Sequence, residues 1–273
     1  MKRKIILLLL SMGITFMTVS QAVAHNIWIN PNNAFPQVGD TVDIGIGWGH
    51  TYTASRVDQD MKPGMFGYIQ VLDPDGQKVN PEMVSEKHYR LKIEKEGVYL
   101  VTAGIKPGVF TMTPRGRQWS DKRGVENAIS CTSFCIEAKS LVVAGKKNEN
   151  LTTSTGQELE VIPLSNPATL KAGGKFELMV MFKGKPAPGI DVNATYAGSS
   201  DGKAPKDIAP HGEKAGKKPH FPVSTVTDSE GKAAIRLDRP GYWMVVISHR
   251  SPYPDKETCD QYMHNMAFTF EVK

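Results

Sequence analysis

The apolar residues of this chain come in short runs of β-formers, each closed by Gly, Pro, Asn or Asp, and no stretch carries the helical spacing of a long helix. Thr41-Val42-Asp43-Ile44-Gly45-Ile46, Tyr68-Ile69-Gln70-Val71-Leu72, Val98-Tyr99-Leu100-Val101-Thr102-Ala103 and Lys139-Ser140-Leu141-Val142-Val143 are the clearest examples. Several alternate with a period of two, as a half-buried strand does, and Asp73-Pro74-Asp75-Gly76 is explicit turn chemistry. Further strands are expected at 158–162, 175–182, 190–196, 232–237, 242–248 and 268–272. Many short strands with frequent turns predict an all-β protein built from sandwiches.

The chain has 273 residues, 40% of them apolar, which is enough for one or two domains with real cores. The polar stretch Gly145-Lys146-Lys147-Asn148-Glu149-Asn150 divides the strands into two sets of similar length. The expectation is therefore two tandem β-sandwich domains, 25–147 and 152–273, with the boundary between 145 and 155. Three cysteines are too few for a fold held together by disulfides.

Lys2-Arg3-Lys4, the apolar run that opens with Ile5-Ile6-Leu7-Leu8-Leu9-Leu10, and Ala22-Val23-Ala24 have the order of a secretory signal peptide. Residues 1–24 are expected to be removed after Ala24, placing the product in the periplasm with His25 first. The apolar run is broken by Ser11, Gly13, Thr15 and Thr18 and falls short of the ~20 residues of a spanning helix. Removing three cations from the 33 Lys+Arg leaves 30 against 28 Asp+Glu, so the net charge falls from +5 to +2. That balance gives no support to nucleic-acid binding.

Two segments break the strand rhythm. Residues 106–129 carry Pro107, Pro114, Arg115, Arg117, Trp119 and Arg123. Residues 198–222 are rich in lysine and proline and carry His211 and His220; they read as a mobile, solvated loop, with a binding lid as the alternative.

The chemistry in this sequence is carried by histidine. Cleavage would give His25 a primary α-amine beside its imidazole, and the amine with Nδ1 can close a chelate ring on a transition metal. His50 follows Trp48-Gly49 in a glycine-rich turn, and His249 and His264 are expected at strand-to-loop junctions. These four, His25, His50, His249 and His264, are the candidate metal ligands, and imidazoles favour Ni, Co, Cu or Zn over Ca or Mg. Met263 and Met266 flank His264 and offer soft thioether ligands to Cu(I), although methionine is more often packing material, while His88 has no neighbour that elevates it. Cys131, Cys135 and Cys259 allow a local bridge, a long-range bridge from Cys259 to either of the others, or a thiolate metal site. No nucleophile elbow, phosphate loop, dinucleotide fingerprint or H-E-x-x-H is present, so the chain is not read as an enzyme.

His25-Asn26-Ile27-Trp28-Ile29 after the A-x-A site, Val38-Gly39-Asp40-Thr41-Val42, Gly49-His50, Ala138-Lys139-Ser140-Leu141, Leu159-Glu160-Val161-Ile162-Pro163-Leu164-Ser165-Asn166-Pro167, Lys183-Gly184-Lys185-Pro186-Ala187-Pro188-Gly189, Thr227-Asp228-Ser229-Glu230-Gly231-Lys232-Ala233, Pro240-Gly241-Tyr242-Trp243 and Ala267-Phe268-Thr269-Phe270-Glu271-Val272 stand in an order that resembles a periplasmic family of NikM-like nickel or cobalt uptake components. The resemblance spans essentially the whole chain after residue 24. It implies tandem immunoglobulin-like or carboxypeptidase-regulatory-like β domains that bind Ni(II) or Co(II) and work beside a membrane transporter component. Transferred residue by residue, the family's initial histidine falls on His25, its Gly-His turn on His50, and a third match on His249; His264 rests on the sequence reading alone. This chain departs from family members described as transmembrane, because no spanning helix follows residue 24, so capture or delivery of metal is the expected role. The alternatives are a CopC-like Cu(II) carrier, a copper histidine-brace oxidase of the lytic polysaccharide monooxygenase kind, and an adhesion or scaffold module.

Overall fold

The computed structural model describes residues 25–49, 52, 61–199 and 221–273. The expected signal peptide, His50, His211, His220 and most of the 198–222 loop lie outside the described residues. The first half of the chain supplies β1 (Asn26–Pro31), β2 (Thr41–Gly49), β3 (Phe66–Leu72), β4 (Lys78–Val79), β5 (Glu82–Ser85), β6 (His88–Lys92), β7 (Gly97–Ile105), β8 (Gly108–Thr113), β9 (Gly116–Gln118) and β10 (Ser130–Ala144). The second half supplies β11 (Leu159–Pro163), β12 (Lys175–Phe182), β13 (Lys185–Pro186), β14 (Asp191–Tyr196), β15 (Val223–Val226), β16 (Lys232–Arg236), β17 (Gly241–Pro252) and β18 (Gln261–Val272), with a 3-10 turn at Pro167–Thr169. The all-β sandwich expected from the punctuated β-runs is the fold observed.

The strands form three sheets: β1-β2-β6-β5, then a ten-stranded sheet in the order β15-β14-β17-β18-β10-β7-β3-β4 with β8 and β9 attached beside β10, and finally β11-β12-β13 with β16 on β12. The ten-stranded sheet draws on both halves. They join where β10 and β18 run parallel, from Thr132 opposite Gln261 to Ser140 opposite Thr269. Every other ladder among the described residues is antiparallel, as hairpin-connected strands are.

Strand alternation sends successive side chains of this shared sheet to opposite cores. One core takes Leu141 and Val143 from β10 with Met266, Phe268 and Phe270 from β18, and packs them against Phe176, Leu178 and Val180 of β12. The other takes Ile136, Ala138 and Val142 from β10 and packs them against Ile27 and Ile29 of β1 and Ile44 and Ile46 of β2. The first core contains residues of both halves, so the halves share a sheet and a core, where the sequence suggested two bodies on a linker.

The expected linker is fastened down accordingly. Asn150 Nδ2 donates to the carbonyls of Asp73 (2.8 Å) and Val98 (3.2 Å), and Leu151 is buried in the first core. Just beyond it, Lys139 of β10 and Glu160 of β11 form a fully buried pair, Nζ to Oε1 2.6 Å. Glu160 also accepts from the Ser154 hydroxyl and from the backbone N–H and hydroxyl of Thr155. Burial pushes the Lys139 ammonium below its ordinary value. Burial alone would raise the Glu160 carboxyl, but the Lys139 charge and these hydrogen bonds outweigh it and hold it low.

Residues 106–129, expected to be irregular, contain the β8–β9 hairpin, in which Thr111 pairs with Gln118. Its base is held by the Cys131–Cys259 disulfide, the long-range alternative among the three cysteine readings. Asp260, next to Cys259, accepts from the Cys131 backbone N–H at 2.7 Å and from Lys122 Nζ at 2.8 Å.

Candidate metal-binding residues

His25 stands immediately before β1, and its ring stacks on Trp48 of β2 with 5.1 Å between centroids and 5° between planes. The antiparallel ladder that brings them together starts at Asn26 opposite Gly49. Further along it, Trp28 faces Gly47, where an added Cβ would lie 1.9 Å from the indole Nε1, so only glycine leaves room for the ring. Trp48 belongs to the core on the β1–β2 side of the shared sheet. His50 follows Gly49 in the chain and is outside the described residues.

His249 and His264 sit elsewhere. Both lie inside strands, where the sequence placed them at strand ends, because β17 runs on to Pro252 and β18 begins at Gln261. They are directly opposite each other in the β17–β18 ladder. Alternation aims them to the face of Ile247 and Met266, the core on the side away from His25. Of the expected ligands, His25 and the pair His249 and His264 thus lie on opposite sides of the ten-stranded sheet, and His50 is outside the described residues.

Phe182 of β12 presses on both rings, 4.4 Å from the His249 centroid and 5.3 Å from that of His264. Nε2 of His264 lies 3.0 Å from Oε2 of Glu158, while its buried Nδ1 has no hydrogen-bond partner. Burial lowers the pKa of His264 against the opposing pull of Glu158, and burial lowers that of His249. Lys183 Nζ is 3.8 Å from the same Glu158 oxygen and sits over the rings of Phe182 and Tyr262.

The row of side chains continues onto β10, where Cys135 is the partner of His264 in the parallel ladder. Cys135 is the cysteine left outside the disulfide, and burial followed by the neighbouring Glu137 carboxyl pushes its thiol up to about 12. Glu137 itself, raised by burial, accepts a 2.6 Å hydrogen bond from the Tyr68 hydroxyl, and Gln157 Nε2 donates to that hydroxyl at 3.1 Å. Glu158, Phe182 and the Tyr68–Glu137–Gln157 chain were not among the expected site residues. Their side chains meet through sheet pairing and layer packing, which leave no spacing signal in the sequence.

His88, on β6 of the first sheet, is occupied, Nε2 3.0 Å from Asp43 Oδ1. Among the described residues, no three His, Cys, Asp or Glu side chains are gathered at metal-binding distance. No helix among them is long and apolar enough to cross a membrane.

Comparison with solved structures places several bacterial and viral multidomain β proteins beside this chain. The D0–D1 domain of intimin is 12% identical, with 89% of this chain and 96% of that chain covered and a TM-score of 0.22. The D00–D0 domain of intimin is 13% identical, with 90% and 99% covered and a TM-score of 0.20. A Salmonella alpha-2-macroglobulin mutant, Y1175G, is 12% identical, with 90% of this chain and 15% of that chain covered and a TM-score of 0.25. No curated protein matches. Residues 22–251, beginning at the A-x-A site and ending just past His249, match one family along most of the chain; the protein belongs to the family described as a domain of unknown function, DUF4198.

Proposed function

We propose that this protein is an exported, non-catalytic carrier of a transition-metal ion, which it captures and hands to a membrane uptake component. The cargo is Ni(II) or Co(II) in the first instance, in keeping with the NikM-like resemblance, and Cu(II) in the second, because nitrogen-rich sites reach their highest affinity with it. The donors are the α-amine and imidazole of His25 after cleavage behind Ala24, with His50. The observation that carries this reading is the β1–β2 ladder. Asn26 pairs with Gly49, so residues 25 and 50 are the next positions of the chain beyond one rung, and the His25 ring is already held flat on Trp48. A donor whose ring is fixed before the ion arrives loses less conformational freedom on binding. The assignment gives His249 and His264, on the far face of the sheet, no part in this site.

The test is calorimetric titration of protein starting at His25 with Ni(II), Co(II), Cu(II) and Zn(II), beside a form carrying one extra N-terminal glycine and a His50→Ala variant. At least a tenfold loss of affinity in the extended form is expected, and a comparable loss in His50→Ala. Equal affinity in the native and extended forms would overturn the amine site. Saturation at about 100 times the Kd should stabilise the fold by roughly 2.7 kcal/mol.

A further inference from the structure

We propose that Cys135 Sγ and the buried Nδ1 of His264, with His249 beside them, form a second and separate site that takes a soft monovalent cation, Cu(I). Three neighbouring strands carry these residues at one level: His249 on β17 is opposite His264 on β18, which is opposite Cys135 on β10. Strands lie ~4.8 Å apart, and all three side chains leave the sheet on the same face, so the three residues are neighbours in one row across it. The alternation is fixed beyond the row by Leu141 and Val143 on β10 and by Met266 and Phe268 on β18, which share the same core.

An independent observation points to a ligand at this place. His264 is only 4% exposed, and its Nδ1 is buried without a hydrogen-bond partner. A buried polar atom left in that state costs ~1–3 kcal/mol; Thr195 Oγ1, Arg250 Nε and Asn265 Oδ1 of the same sheet are also without partners, but Nδ1 is the one of these four that belongs to an imidazole. The other ring nitrogen explains its orientation. Nε2, 3.0 Å from the Glu158 carboxylate, is the nitrogen that holds the proton, which leaves a lone pair on Nδ1. A carboxylate on one nitrogen that orients the other toward an ion is the usual support of a metal-bound imidazole.

The donor set selects the cargo. One thiolate and one or two imidazoles suit Cu(I), which is content with two or three donors, whereas borderline divalent ions ask for a fuller shell. Among the described residues no three such side chains stand at metal-binding distance, so the primary donors are the two of Cys135 and His264. Binding displaces the thiol proton, and Glu137, which already bonds Cys135, lies where it can accept it. No electron transfer is involved, since Cu(I) is bound as such.

The site faces away from His25 and is independent of the carrier reading. The test therefore uses the glycine-extended protein throughout, so that the proposed amine donor is absent from every arm. Cu(I) is titrated anaerobically in competition with bicinchoninate, with Cys135→Ser, His264→Gln and His249→Gln alongside, and urea unfolding of each metal-free variant as the check on folding. One Cu(I) per chain is expected, weakened at least tenfold in Cys135→Ser and in His264→Gln and less in His249→Gln. Alkylation of Cys135, read by mass spectrometry, should slow at least tenfold when Cu(I) is added to the unsubstituted chain. Equal Cu(I) affinity of the unsubstituted and Cys135→Ser proteins would overturn the site. Should His264→Gln fail to fold, the near-isosteric Cys135→Ser still decides the question.

Discussion

Replacing Lys139 by Met isolates the energetics of the buried pair at the junction of the halves. The exchange keeps the length and bulk of the side chain, so the apolar packing changes little. What it removes is the partner of a carboxylate only 1% exposed, which would retain just its bonds from Ser154 and Thr155. Stranding one member of a buried pair costs about 3–5 kcal/mol, and at ~2–4 °C per kcal/mol for a chain of this size that is a fall in Tm of roughly 6–20 °C. Acid provides the decisive control. In the parent, Glu160 is held low, so its contribution is present above the unfolded carboxyl value of about 4.3 and is lost as pH falls through the folded value. In Lys139→Met the ammonium no longer offsets burial and the carboxyl moves up, so the difference between the two proteins is widest at neutral pH and narrows as pH falls through the depressed folded value of the parent. Urea unfolding of both proteins from pH 7 down to the acid limit of the parent fold measures this. A pH-independent difference would mean a packing defect, and a difference below about 1 kcal/mol at pH 7 would refute the dry, charged pair.

Three further outcomes follow from the geometry. Reducing the Cys131–Cys259 bond, which spans 128 residues of sequence, should destabilise the protein by about 5 kcal/mol in the chain-entropy treatment, measured by urea unfolding with and without reductant. Gly47→Ala puts a methyl 1.9 Å from the Trp28 indole nitrogen and should cost about 1–3 kcal/mol and shift tryptophan emission; an unchanged spectrum and midpoint would contradict the close approach. His249 and His264 both have folded values lowered by burial, so the fold binds their protons less well than the unfolded chain does. Their contribution is complete above the unfolded value of about 6.5 and declines as pH drops below it, a slope that the double variant His249→Gln/His264→Gln should flatten.

The sequence makes the strands legible because a half-buried strand writes its period into the chain. The expected run at 175–182 is β12, and those at 190–196 and 242–248 lie within or beside β14 and β17. Pairing between distant strands leaves no such mark. Nothing local to Thr132 or Gln261 says that they are opposite one another, and so the shared sheet, the identity of the bridged cysteines and the row His249–His264–Cys135 stayed out of reach. The ends of β17 and β18 were missed for a related reason. His249, Arg250 and Ser251, like His264 and Asn265, are poor strand signals by composition, yet they are held in the ladder by partners on the neighbouring strand. The β8–β9 hairpin was obscured by Pro114 and Gly116, which mark its turn rather than a loop. His25 was legible as a candidate, and its stacking on Trp48 was not.

The parallel pairing of β10 with β18 also governs the order in which this chain can acquire structure. Segments some 129 residues apart, such as Thr132 and Gln261, must meet before the central layer is continuous. Closing so long a loop before its contacts can reward it slows the search, and proteins dominated by such contacts fold in milliseconds to seconds rather than microseconds. The first half therefore waits with the β18-facing edge of β10 open until residues 261–272 exist and dock. During that wait the edge is a template for any passing strand. Deleting β18 would accordingly expose both halves to aggregation at once, and a refolding rate that responds to substitutions in β18 as strongly as to those in β10 would be its kinetic signature.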